Sequence, residues 1–462
     1  MLCAELTVSP PMQPSPTFTA PDTCDVLVIG GGPAGSTVAA LLAQQGRSVV
    51  LVEKAQHPRF HIGESLLPAN VQLFERLGVR DQVDKIGMPK FGIEFVSPEH
   101  DHRACVEFAD AMNKSMPQAW QVRRSELDEM LFRNAATRGA QTLENCRVRD
   151  VAFDADGATV QAEFAGADGQ TVPKQWRARF VIDASGRDTL LGNKLKIKQK
   201  NPKHNSSALF GHFTNAQRLP GKQEGNISIC WFAHGWFWFI PLADGTTSVG
   251  AVCWPYYLKT RTKPLKEFFA DTIALCPELA RRLQNAMLVN DAVHATGNYS
   301  YMSTHATGDR YLLLGDAYTF IDPMFSTGVY LAMHSAFEGA ELVATALDRP
   351  AEFATAREAF ETMMKKGPKE YSWFIFRVTN PTIRELFMHP ANPFRVLEAL
   401  MSMLAGDIYG NTPLWGPLRI LKGIYYMISL RHLRRTIDGW QRHRQNIRDM
   451  GMLNGETILK AE

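Results

Sequence analysis

Several things are scarce in this chain, and each scarcity removes a class of protein. No apolar run approaches the ~20 residues that a membrane-spanning helix requires. The seven cysteines, at 3, 24, 105, 146, 230, 253 and 276, are scattered, odd in number and form no C-x-x-C pair. That pattern fits reduced thiols in the cytoplasm and argues against a zinc site or a disulfide framework, so no metal is expected. Charge of one sign is also lacking, because the formal net charge is only +3, too small to recommend nucleic acid as a partner. Residues 1–21 are rich in Pro, Ser and Thr and have neither the basic start nor the apolar core of a signal peptide, so they are expected to be a disordered extension. No repeat appears in the segment 346–462, and no second Gly-rich fingerprint follows a strand, which argues against a separate nicotinamide domain.

What is present is a globular composition, 462 residues with 45% apolar and 21% charged side chains, enough for two or three structural units. The chain is organised around Cys24–Lys54. An apolar run, Val26 to Ile29, ends in Gly30-Gly31-Gly32-Pro33-Ala34-Gly35; a helical pattern follows, and a second apolar run, Val49 to Val52, ends in Glu53. Strand, Gly-rich turn, helix, strand and acid in this order form a dinucleotide site. Gly30 permits the tight turn, Gly32 lets the backbone approach a pyrophosphate, and Gly35 lets helix and strand pack closely. The helix N-terminus, with Ala34 in its first turn, offers free N–H groups and positive dipole to phosphates. Glu53 is placed to bind ribose hydroxyls, with Lys54 beside it. The motif alone serves FAD and NAD alike.

The loop 57–68 follows at the carboxyl end of the second strand, beside the cofactor crevice, and Arg59 and Ser65 in it are candidate contacts. Lys90 stands at the mouth of the next strand pattern, and by itself it reads as a solvated lysine next to Pro89. Ser125-Glu126-Leu127-Asp128 has the form of a capping box, which puts Arg123 or Arg124 at a helix entrance. Residues 146–182 read as a β-meander that closes on Asp183-Ala184-Ser185-Gly186. In Gly235–Pro241, Trp236, Trp238 and Ile240 share one strand face and form a rigid wall suited to a core or to a planar ligand. A further strand ends in Gly315-Asp316, and the loop Phe320–Gly328 precedes a helix expected to begin near Val329. Backbone N–H groups at Thr327 and Gly328 are placed to hold an anion, and Asp316 a ribityl hydroxyl. From 346 to 462 the pattern is helical, and 416–444 is both apolar and basic: a helix covering the catalytic domain, with peripheral membrane contact as the second reading.

Three separated segments, GGGPAG, Asp183–Gly186 and Gly315-Asp316, resemble FAD-dependent enzymes of the p-hydroxybenzoate hydroxylase group. Within that group, Trp236-Phe237-Trp238-Phe239-Ile240-Pro241 matches the W-x-W-x-I-P signature of flavin-dependent halogenases, and Phe320 to Gly328 matches their F-x-x-P-x-x-S-x-G signature. Ile62–Pro68 also resembles the halogenase sequence after the second strand. The resemblance implies an α/β architecture: an FAD-binding Rossmann-type domain at 22–345, interleaved with a substrate-side β-sheet at about 86–118 and 200–290, then a helical region at 346–462. It implies FAD, reduced by a separate flavin reductase, and a halide bound near Thr327 and Gly328. Hypohalous acid then travels to a lysine, and Lys90 is the position that matches. Arg124, of the two arginines, joins Gly30, Gly32, Ala34, Gly35, Glu53, Lys54, Arg59, Ser65, Asp316 and Gly328 in the cofactor site. Trp236 and Trp238 keep substrate off the flavin.

One departure narrows the substrate. Tryptophan halogenases carry a glutamate directly before the signature serine, where this chain has Phe325. A more activated ring is therefore expected, a phenol or pyrrole, free or tethered to a carrier protein. The competing readings are a geranylgeranyl-reductase-like enzyme, an aromatic monooxygenase, and a non-catalytic flavoprotein that would need neither Lys90 nor the halide loop.

Overall fold

The computed structural model describes residues 22–448 apart from 167, 298, 299 and 379, with side chains described to 444. The extension expected at 1–21 lies outside the described residues.

The strand Asp22–Ile29 is the centre of the first sheet. It pairs in parallel with Val49–Val52 on one side and Thr171–Asp183 on the other. Gln141–Leu143 extends the sheet beyond Val49–Val52, and Tyr311–Leu313 runs parallel to the end of Thr171–Asp183. Val26, Leu27 and Val28 are fully buried, so both faces of this central parallel strand are covered; this is why the run is continuously apolar and does not alternate. The helix Pro33–Gln44 packs on the helices Arg124–Thr137 and Thr327–Asp348. Thr171–Asp183 is long enough to serve two partners: its first half pairs antiparallel with Ala158–Ala165, which pairs with Cys146–Phe153.

The second sheet runs in the order Met287–Leu288, Ser207–Thr214, Thr247–Cys253, Gly235–Pro241, Ile227–Phe232, Gly92–Val96, Arg103–Glu107. The aromatic strand Gly235–Pro241 is buried on both faces, and its period of two separates two cores. Trp236, Trp238 and Ile240 join the core shared with the first sheet, while Phe237 and Phe239 pack with Phe268 and Phe269 of the helix Leu265–Ala274. The helices Phe353–Ile375, Pro381–Met388, Val396–Leu404, Trp415–Arg431 and Leu433–Arg448 follow, and the end of the helical region expected to reach 462 lies outside the described residues. The turn between the first two is seated on the second sheet, where Trp231 Nε1–H donates to the Val378 carbonyl at 2.9 Å.

Two local expectations are corrected. The helix after the loop that opens at Phe320 begins at Thr327, two residues earlier than expected, with Ser326 as its N-cap at φ 55°. Thr327 and Gly328 thus form its first turn, where N–H groups still lack intrahelical acceptors. The capping box at Ser125 does not form: the helix starts at Arg124, its N-cap is Arg123 with no side-chain cap, and Asp128 bonds to arginines instead.

Candidate active site

A cavity of about 440 Å³ lies between the sheets, and its walls collect residues that are far apart in the chain. Gly30, Gly32, Ala34, Glu53, Lys54, Arg59, Ser65, Arg124, Asp316, Gly328, Trp236 and Trp238 all line it. Gly35 does not, and its role is packing: a Cβ there would stand 1.9 Å from the Gly30 carbonyl oxygen. Gly30, at φ +104°, is equally constrained, since a Cβ would meet the Ala184 oxygen at 2.3 Å. Gly32 differs, because the nearest atom to its Cβ position is Arg59 NH2 at 3.6 Å, so its backbone faces open space. Glu53 is buried and holds the turn, accepting from Gly31 N–H at 2.7 Å and Ala55 N–H at 3.0 Å. Lys54 pairs with Asp188 at the cavity mouth.

The two arginines of the wall share one buried acid. Arg124 grips Asp128 with Nε at 2.8 Å and NH2 at 3.0 Å, and its NH1 donates to the Ile62 carbonyl at 2.8 Å. Arg59 reaches Asp128 at 3.2 Å and Glu53 at 3.4 Å. Burial raises the Asp128 carboxyl, but the Arg124 guanidinium overcomes this and holds it below the ordinary carboxylate range. Asp316 is half-buried by its exposure to the cavity, yet enclosing protein pushes its carboxyl up to about 6, against the pull of Arg124 and Arg187. Asp183 is a structural residue: it is fully buried and accepts from the backbone N–H groups of Ser185 at 2.9 Å and Leu191 at 2.7 Å.

Lys90 is not solvated. It ends the short strand Met88–Lys90, which pairs with Ala119–Gln121, and is 1% exposed. Its Nζ donates to Ser65 Oγ at 2.9 Å and to the Leu66 carbonyl at 3.0 Å, and lies 5.3 Å from the centre of the Phe108 ring. No carboxylate pairs with it among the described residues. Burial alone therefore depresses its amine to about 7. A lysine titrating near neutrality in an apolar niche can donate a proton or act as a nucleophile. The niche, lined by Lys90, Phe95, Met324 and Phe325, shares Ile227 and Ser326 with the main cavity. Thr327 and Gly328 border a second small recess beside Asp316.

A family profile described as FAD binding domain matches residues 23–354. The flavin-dependent halogenase gsfI of Penicillium aethiopicum is 35% identical over 344 residues, 69% of this chain and 64% of its own length. This chain belongs to the flavin-dependent halogenase family. A 1H-pyrrole-2-carbonyl-(peptidyl-carrier protein) chlorinase of Pseudomonas fluorescens is 29% identical over 413 residues, covering 84% of this chain and 90% of that protein. Among solved structures, the myxobacterial chondrochloren halogenase CndH superposes with a TM-score of 0.73 at 30% identity, covering 86% of this chain and 92% of that one. The chain thus spans about two thirds of the fungal relative and most of the bacterial ones.

FAD is the cofactor of this family, and the residues present fit it. Gly32 leaves the backbone open at a helix N-terminus, and Glu64 supplies a buried Oε2 with no partner among the described residues on the cavity wall. Glu64 and its partner His212, whose Nε2 lies 2.9 Å from Glu64 Oε1, escape a reading of the sequence. A lone histidine in a strand carries no signal. Asp128 escapes for another reason: its spacing from Ser125 suggests a cap, whereas its spacing of four from Arg124 is the one the helix uses.

Proposed function

We propose that this chain uses reduced FAD, oxygen and chloride or bromide to halogenate an electron-rich aromatic ring of phenol or pyrrole type. The observation that carries the proposal is Lys90, buried behind Ser65 in a niche that shares Ile227 and Ser326 with the cofactor cavity. Reduced FAD, when bound, supplies with oxygen the oxidising equivalent that turns halide into hypohalous acid. The chain's own groups do the rest. Backbone N–H groups of Thr327 and Gly328, in the first turn of a helix, hold the halide. Trp236, Trp238 and Ile240 separate the cavity from the substrate side and exclude an aromatic ring from the flavin. Ser65 and the Leu66 carbonyl fix the Lys90 amine, which receives the halogen or hydrogen-bonds the hypohalous acid. The ring carbon takes the halogen, the ring proton leaves, and the hydroxyl departs as water.

A flavin reductase is the proposed source of reduced FAD, and the pyrrole chlorinase relative supports a ring that is either free or tethered to a carrier protein. The test is mass spectrometry of product from purified protein with FAD, a flavin reductase, NADH and bromide, on free and carrier-tethered phenols and pyrroles. Bromine incorporation is the expected result. Oxygen consumption without bromination of either substrate form would overturn the proposal and direct attention to isoprenoid reduction or hydroxylation.

A second reading concerns 416–444. No described helix is long and apolar enough to cross a membrane. Yet Met427, Leu430, Leu433 and Trp440 are exposed, and 415–448 carries eight Lys or Arg against the single Asp438 in a chain of net +3. Apolar exposure ringed by arginine suits an anionic lipid surface. The protein is expected to sediment with phosphatidylserine vesicles, and Leu430→Glu to release it; equal recovery with uncharged vesicles would remove this reading.

A further inference from the structure

Outside the cavity, donors from opposite ends of the chain converge where the turn between Gly92–Val96 and Arg103–Glu107 meets the end of the helix Pro381–Met388. The turn contributes His100 and His102, and the helix contributes Glu385 and, one turn later, His389. His100 Nε2 lies 3.1 Å from Glu385 Oε2, and His389 Nδ1 lies 3.1 Å from Glu385 Oε1. The His100 and His389 ring centres are 5.4 Å apart, and the three donor atoms lie within 4.8 Å of one another.

These spacings approach those of a tetrahedral zinc ion. With zinc–ligand bonds near 2.0–2.1 Å, neighbouring ligand atoms stand about 3.3 Å apart and two bound imidazole centres about 5 Å apart. The outer contacts are present as well. His100 Nδ1 lies 3.0 Å from Ser97 Oγ, which orients the ring and can accept its proton once Nε2 turns to a metal. His102 donates through Nε2 to the Met388 carbonyl at 2.9 Å and packs its ring 4.9 Å from that of His389. The His389 side chain is 56% exposed, so rotation of its ring closes the remaining gap and leaves a path for the ion.

We propose that His100, Glu385 and His389 form a zinc site, completed by water, which ties the C-terminal helices to the strand pair 92–107. The cysteine pattern argues against zinc only as a thiolate ligand; an imidazole–carboxylate site assembled across 285 residues has no local sequence signature.

Full-length, FAD-loaded protein, stripped with a chelator, would be titrated with Zn²⁺ by calorimetry and with Co²⁺ by absorption. One saturable site is expected, with tetrahedral cobalt bands. His100→Ala, Glu385→Gln and His389→Ala should each weaken it by roughly 10–100-fold or more. Glu385→Gln keeps the side chain's shape, so its loss of affinity cannot be attributed to misfolding if circular dichroism is unchanged. Absence of a stoichiometric site, or equal zinc binding by a His100→Ala/His389→Ala double variant, would overturn the proposal.

Discussion

Lys90→Ala is expected to lose roughly 100-fold or more of halogenated product, the scale of a positioned proton-transfer group, while FAD uptake stays as in the wild type. The separation is possible because Lys90 does not line the cofactor cavity; its amine hydrogen-bonds Ser65, which does, and its niche borders that cavity at Ile227 and Ser326. Oxygen consumption should continue, so the diagnostic ratio is halogenated product per oxygen consumed. Lys90→Met serves as the control for packing, since it fills the niche against Phe108 without an amine. Equal product from wild type and both variants would mean that hypohalous acid reaches the ring without guidance, and the role assigned to Lys90 would fall.

The same residue leaves a signature in stability. The folded amine titrates at about 7, well below the ordinary 10.5, so between these values the unfolded chain binds the proton and the folded one does not. Unfolding is then favoured by proton uptake, and stability rises as pH rises through that window. Below about 7 both states are charged and the full penalty of burying the amine, roughly 5 kcal/mol, is present. Lys90→Met should therefore be the more stable protein in urea at pH 7, with the gap narrowing towards pH 10. A gap independent of pH would show that the amine stays charged in the fold. Retaining so costly a group is the stability–function exchange that the role proposed for Lys90 would require.

The parts of the molecule legible in the sequence are those fixed by short-range rules. Strand, Gly-rich turn, helix and Glu53 form one unit of about thirty residues, and the close approach of Gly35 to the Gly30 carbonyl lies within it, whereas the Ala184 and Arg59 atoms that face Gly30 and Gly32 come from outside. The face of Trp236, Trp238 and Ile240 follows from the period of a strand. What depends on distant partners was not legible. Lys90 beside Pro89 reads as a surface lysine until Phe108, Ser65 and Leu66 close around it. Glu64 acquires His212 across 148 residues, and His100 acquires Glu385 across 285. Where two local rules compete, as at Ser125 to Asp128, pattern alone chose the cap. The structure chose the arginine pair because a buried carboxylate must be compensated.

Arg124 is where that competition has the largest energetic consequence. Read from the resemblance it is a cofactor residue, and it does line the cavity. Its hydrogen bonds, however, go to Asp128 and to the Ile62 carbonyl, and Asp128 is 0% exposed. Removing one partner of a buried ion pair typically costs about 3–5 kcal/mol, because the other charge is left uncompensated. Arg59 at 3.2 Å takes up part of the deficit, so Arg124→Met should destabilise the apoprotein by about 3 kcal/mol. Arg124→Met/Asp128→Leu, which removes both charges, should recover most of it, since apolar replacement of a buried pair is often neutral. Urea denaturation of the apoprotein, alongside FAD binding, separates the two roles. Loss of FAD affinity with unchanged apoprotein stability would make Arg124 a ligand contact first. Loss of stability that the double variant restores makes it the strut of the cavity wall, holding the loop at Ile62–Ser65 from which both Glu64 and the Lys90 contact project.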